Sequence, residues 1–162
     1  MNEKMYYDYL QVHDWVNLIT FQMYKDGWRP DYIVGLTRGG LIPAVVMSHN
    51  LDIPMHTLEV KLRDHANTES NLWMAEDAFA GKKILILDDI NDTGDTLNWI
   101  VGDWESGCFP MSDKWEGVWN NNVRFATLID NTSSNFLKKV DYCGREINKS
   151  ERDVWIVFPW ER

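Results

Sequence analysis

The sequence predicts an α/β fold: a mostly parallel, twisted sheet flanked by helices, with a small hood or lid region. Three observations predict it. Short and almost wholly apolar runs recur at 32–36, 83–87 and 123–129, the pattern of strands buried on both faces. Segments with helical signals lie between them, and such alternation builds βαβ units. The two most unusual loops, 37–40 and 88–96, both follow the carboxyl ends of apolar runs, where open α/β sheets place their ligands.

Each element has its own signal. Tyr9, Val12, Val16, Ile19 and Met23 repeat with helical spacing, so residues from about 6 to 25 read as an amphipathic helix, broken by Gly27 and Pro30. Tyr32-Ile33-Val34-Gly35-Leu36 reads as a buried strand, and Leu41 to Asn50 as a helix with Pro43 in its first turn. Met55 to Leu62 reads as a strand. The polar segment 63–81 is expected to contain a flexible lid. Lys83 to Leu87 is the clearest buried strand and runs into a helix ending near Gly107. A loop-rich stretch, Cys108 to Asn122, precedes strands at Val123–Ile129 and Val154–Phe158.

Composition narrows the function. The 162 residues suit one domain with a real core, and 44% hydrophobic content argues against disorder. No apolar run is long enough to span a membrane, and the N-terminal residues lack a secretory pattern; a cytoplasmic location is expected. A net charge of −9 repels phosphate backbones and argues against nucleic-acid binding. Cys108 and Cys143 show no CxxC spacing and read as reduced thiols, and the four histidines show no zinc spacing. Trp99, Trp104, Trp115 and Trp119 suit core packing or a subunit contact, and a homo-oligomer (dimer or tetramer) is expected.

The chemistry concentrates in two loops. Between 88 and 96 the sequence reads Asp88-Asp89-Ile90-Asn91-Asp92-Thr93-Gly94-Asp95-Thr96. Two acids at the end of a buried strand are costly unless they serve a cation or hydroxyl groups. Their side chains are expected on opposite faces, one toward ligand and one bracing the loop. Asp92 to Thr96 opens a helix, where unpaired N–H groups and the helix dipole favour an anion. Gly94 is expected to clear space for a phosphate, with Thr93 and Thr96 donating hydroxyl hydrogen bonds. The second loop is Thr37-Arg38-Gly39-Gly40. Its glycines would turn N–H groups toward an anion, and Arg38 would add a charge-assisted donor.

The run Ile84 to Thr96 resembles the signature of the type I phosphoribosyltransferases: hydrophobics, two acids, two variable residues, then D-T/S-G-x-T. Residues 35–43 resemble the matching stretch of the bacterial xanthine-guanine enzymes of that family. The resemblance implies one phosphoribosyltransferase domain over 1–162, with phosphoribosyl pyrophosphate (PRPP) and a nucleobase as substrates and Mg2+ as cofactor. It assigns Asp88 and Asp89 to the ribose hydroxyls and metal, and Asp92 to Thr96 to the 5-phosphate. Thr37, Arg38, Gly39 and Gly40 would hold pyrophosphate, with a cis peptide bond at Thr37–Arg38. Asp92 would be the general base and Arg38 would stabilise the leaving group. The region 130–162 would bind the base, with Trp155 stacking on it and the Ile156 backbone taking its polar edge.

Two positions depart from the pattern. A lysine that reads a purine 6-oxo group is expected after the 123–129 strand, but Asn131 stands there; Lys138 and Lys139 are the alternatives. Residues 66–80 carry no basic side chain for pyrophosphate, leaving Lys61 and Arg63 as candidates. The expected activity is transfer of ribose 5-phosphate to a 6-oxopurine in purine salvage. A PRPP- or nucleotide-binding regulator with little catalysis, and an enzyme for a pyrimidine or modified base, are the alternatives. An unrelated phosphotransfer enzyme lacks support, since no P-loop is present.

Overall fold

A computed structural model of the chain describes residues 3–62 and 71–162. Five parallel strands form the central sheet in the order β3-β2-β4-β5-β6: β2 (Tyr32–Thr37), β3 (Met55–Glu59), β4 (Ile84–Asn91), β5 (Val123–Asn131) and β6 (Tyr142–Ile147). A second, two-stranded parallel sheet joins β1 (Glu3–Tyr6) to β7 (Val154–Val157), pairing Glu3 with Val154 and Tyr6 with Val157.

Helices α1 (Tyr9–Lys25) and α2 (Leu41–Leu51) cover one face of the central sheet. Helices α3 (Leu72–Phe79) and α4 (Asp95–Gly107) cover the other. The reason lies in strand alternation. In β4, Ile84 and Ile86 pack toward α3 and α4, while Leu85 and Leu87 pack toward α1 and α2. All four are fully buried, as a strand between two helical layers requires. Helix α1 starts where Asp8 caps it, its carboxylate accepting from Gln11 N–H at 2.8 Å.

Several boundaries depart from the sequence reading. The first helix begins at Tyr9 because Glu3–Tyr6 is drawn into β1 by its partner far along the chain. Strand β6, unforeseen in sequence, closes the sheet edge beside β5. The last strand does not join the central sheet. Of the segment expected to hold a lid, residues 63–70 lie outside the described residues. Residues 72–79 form α3, which seats Met74, Ala75 and Ala78 in the core, so this part is a structural helix.

The tryptophans settle into the core. Trp104, Trp115 and Trp119 are buried, and Trp99 packs against them. Phe79, Trp115, Trp119 and Phe125 form a continuous stack with centroid spacings of 5.4, 5.5 and 6.0 Å. Through Trp115 and Trp119 the stretch 108–122 therefore plugs one face of the sheet, while its Phe109 stays exposed.

Candidate functional site

The site gathers at the carboxyl ends of β2, β4 and β5 and the turn leading into β7. The Thr37–Gly40 loop leaves β2 with a cis peptide bond at Thr37–Arg38, the bond the sequence comparison pointed to. Its glycines serve close packing. A side chain on Gly39 would collide with the Asp89 carboxylate, and one on Gly40 with the Leu87 carbonyl. The Gly40 N–H donates to the Leu36 carbonyl at 2.8 Å, so this N–H is spent within the turn and does not face an anion. Arg38 stays exposed.

Strand β4 continues to Asn91, so both acids sit on a strand held by β5, with Asp88 opposite Thr127. Asp88 accepts from Asp89 N–H at 2.8 Å, and Asp89 accepts from Ile90 N–H at 2.8 Å. Burial and the neighbouring Asp89 carboxylate hold Asp88 well above the usual carboxylate range. Burial also raises Asp89, against the pull of hydrogen bonds from Asp88 and Ile90. No ion pair to either acid occurs among the described residues. Two such carboxylates form an oxygen-donor pair suited to a hard divalent cation.

Two hollows meet at Asp89. One, of about 220 Å³, is lined by residues 88–97; the other, of about 700 Å³, by Arg38, Gly39, Leu41, Ile42, Asp89, Trp160 and Glu161. Trp160 and Glu161 were not singled out in sequence. Glu161 is held there because its carboxylate accepts from Phe158 N–H at 2.8 Å, and Trp160 because it stacks on buried Phe158 at 4.9 Å.

The Asp92–Thr96 bend leads into α4. Gly94 has φ +94°, a conformation that favours glycine. A side chain there would strike the backbone of Asn135 and Phe136, so the glycine makes room for the 132–141 loop rather than for a ligand. Thr93 is tied in through its carbonyl, which accepts from Asn135 N–H at 2.7 Å. Its hydroxyl accepts from Asp95 N–H at 3.2 Å. Thr96 lines the smaller hollow and Asp95 opens the helix.

Asn131 is buried and acts as a bracket. Its amide donates to the Asp92 carbonyl at 2.8 Å, while its oxygen accepts from Ser133 Oγ and from Lys149 N–H at 2.9 and 3.0 Å. That geometry fastens three loops together and places its carboxamide in the framework, away from the base-reading role expected at that position. Lys139 is no substitute, since its carbonyl is bound by Asn120 beside the start of β6, at the opposite end of the sheet from the loops; Lys138 is exposed next to it. Lys61 pairs with Glu59 at 3.7 Å, and Arg63 lies outside the described residues.

Lys149 fills the space instead. Its Nζ lies 2.9 Å from Asp92 Oδ1 and 5.9 Å from the Trp155 ring centre, with its side chain only 15% exposed. Nothing in Asn148-Lys149-Ser150 distinguishes it from an ordinary solvated loop; two cations, Lys149 and Arg152, precede the aromatic strand, and the sequence does not choose between them. Trp155 projects from β7 with 53% of its surface open, and the Lys149 ammonium stands over its ring. Ile156 has a buried side chain and a backbone paired opposite Met5.

A family model for the phosphoribosyl transferase domain matches residues 3–161. The chain is 32% identical to a xanthine-guanine phosphoribosyltransferase of Cereibacter sphaeroides, covering 84% of this chain and 75% of that one. It is 23% identical to xanthine phosphoribosyltransferase 1 of Saccharomyces cerevisiae, covering 99% and 90%. Among solved structures, a purine phosphoribosyltransferase from Pyrococcus horikoshii superposes with a TM-score of 0.64 at 29% identity, over 99% of this chain and 95% of that one. The parallel sheet, the loops at its carboxyl ends and these likenesses agree: the chain belongs to the phosphoribosyltransferase family and has the type I fold.

Proposed function

We propose that the protein transfers the ribose 5-phosphate unit of PRPP to a 6-oxopurine, giving a nucleoside monophosphate and pyrophosphate, with Mg2+ as cofactor. One observation carries this reading. The bend 92–96 opens α4 directly after two carboxylates that have no ion pair among the described residues, and Asp89 links it to the hollow beside Arg38. Such a surface fits a sugar phosphate at one end and a pyrophosphate at the other. The names of the relatives, which act on xanthine and guanine, support a purine as acceptor.

In this reading the first N–H groups of α4 and the hydroxyls of Thr93 and Thr96 hold the 5-phosphate. Asp88 and Asp89 hold the ribose hydroxyls and the metal, which would offset charge on the leaving pyrophosphate. The bond from C1 to pyrophosphate breaks through an oxocarbenium-like state, and Arg38 stabilises the departing charge. The base lies on Trp155, one ring nitrogen attacks C1, and Asp92 accepts the proton that the ring sheds as the bond forms.

The test is turnover with PRPP and Mg2+ against guanine, xanthine, hypoxanthine, adenine and uracil, with Asp92→Asn beside the parent. Turnover is expected to fall by about 10²–10⁴-fold in the variant, with PRPP affinity mostly kept. A variant as active as the parent removes Asp92 from the role of base. Release of pyrophosphate with uracil alone would redirect the reading to pyrimidines, and binding of PRPP without turnover of any base would favour a regulator.

A further inference from the structure

We infer that Asn131 is a positioning residue for the transfer: its buried carboxamide sets Asp92 where a reacting base would meet it. This deepens the proposed function and rests on Asp92 accepting the proton there. The ladder between β4 and β5 ends with Asn91 opposite Asp130, so Asp92 is the first residue past it. In that register Asn131 stands where the partner of Asp92 would be, and it stays in the sheet because it pairs with Ile147 of β6. Its side chain takes over where the ladder stops, the amide donating to the Asp92 carbonyl at 2.8 Å.

The other half of the carboxamide serves a different loop. Its oxygen accepts from Lys149 N–H at 3.0 Å and from Ser133 Oγ at 2.9 Å. Asp92 and Lys149 are therefore tied twice, through their backbones by Asn131 and through their side chains by the 2.9 Å ion pair. The Asp92 carboxylate leans on a partner whose own loop is fixed by the same residue. One side chain must donate and accept at once to do this, and a carboxamide supplies both. Only 5% of Asn131 is exposed, so water has little access to replace it.

A proton acceptor must lie within hydrogen-bond reach of the atom it serves, and an error of about 1 Å can cost about 10²-fold in rate. Loss of Asn131 should thus appear in turnover more than in PRPP binding. Asn98 provides the comparison. Its carboxamide also donates to a carbonyl, that of Asn135, and accepts from an N–H, that of Leu137, both at 2.9 Å. These two bonds tie the 132–141 loop to α4 and reach neither Asp92 nor Lys149.

The experiment compares Asn131→Ala, Asn131→Asp and Asn98→Ala with the parent. It measures kcat and the KM for PRPP with guanine, xanthine and hypoxanthine. Thermal unfolding establishes that the variants fold, and amide hydrogen exchange follows the Lys149 N–H. Asn131→Ala should lose about 10–100-fold in kcat, with the KM for PRPP near the parent's and the Lys149 N–H less protected. Asn131→Asp keeps an acceptor for that N–H but, ionised, cannot donate to the Asp92 carbonyl. Its kcat should fall alike while Lys149 stays protected. Asn98→Ala should lose stability and keep its kcat. Folded Asn131 variants with the parent's kcat overturn the inference, as does an Asn98→Ala that falls as far as Asn131→Ala. A parent that turns over no base sinks the proposed function instead. Exchange at Lys149 then still judges the tie, and protection unchanged in Asn131→Ala refutes it.

Discussion

Asp88 shows how a side chain can be poorly placed for the empty protein and well placed for its ligands. Burial and Asp89 disfavour its charged form. A carboxyl whose pKa is raised on folding adds stability that is complete below its unfolded value, near the ordinary carboxylate range, and is lost as pH rises through the raised value. Ligand-free protein should therefore lose stability as pH climbs from about 4 toward neutrality. Asp88→Asn should melt at the same temperature as the parent in acid and higher than it at pH 7, by about 2–4 °C for each kcal/mol relieved. Thermal scans from pH 4 to pH 8 without divalent ions check this. A variant that melts lower than the parent at pH 7 would show that the charge is not disfavoured there. Added Mg2+ should stabilise the parent and not the variant.

At the scale of elements, the glycines of the two loops act by proximity. Gly39 and Gly40 let the β2 loop lie directly against the end of β4, and Gly94 lets the start of α4 meet the 132–141 loop. Gly94→Ala has no easy relief, because the obstacle is backbone and the φ is positive. It should cost about 1–3 kcal/mol, and it should weaken PRPP binding by pulling the bend away from Asn135. Denaturant unfolding and PRPP titration read the two effects separately. Loss of stability with PRPP affinity untouched would show that the bend and the seat are independent. The residues of this motif stood out in sequence, but the reason for its glycine did not. Sequence showed a small residue at a helix start, whereas the neighbour it accommodates lies some forty residues further on.

At the scale of the molecule, the two faces of the sheet divide the work. The aromatic stack from Phe79 through Trp119 to Phe125 lies on the α3–α4 face. Trp155 stands on the small β1–β7 sheet, where Glu3 of β1 pairs with Arg152 just before β7. Trp119→Ala should therefore cost about 3–5 kcal/mol of stability while leaving the preference among bases as it was. Chemical denaturation and the base panel test this together. A changed preference with little loss of stability would place Trp119 in communication with the pocket.

The sequence by itself determined the parallel α/β architecture, because apolar runs and helix signals are local and repeat in order. It also marked the acids at 88 and 89, the bend at 92–96 and the loop at 37–40, since each combines unusual residues over a few consecutive positions. Tertiary structure alone decided what depends on contacts distant in the chain. It paired β1 with β7, turned Trp104, Trp115 and Trp119 inward and made Asn131 a bracket. It also brought Lys149 to Asp92, 57 positions away in number but 2.9 Å in space. A lone lysine in a polar loop has no pattern of its own; its meaning comes from the partner that folding sets beside it.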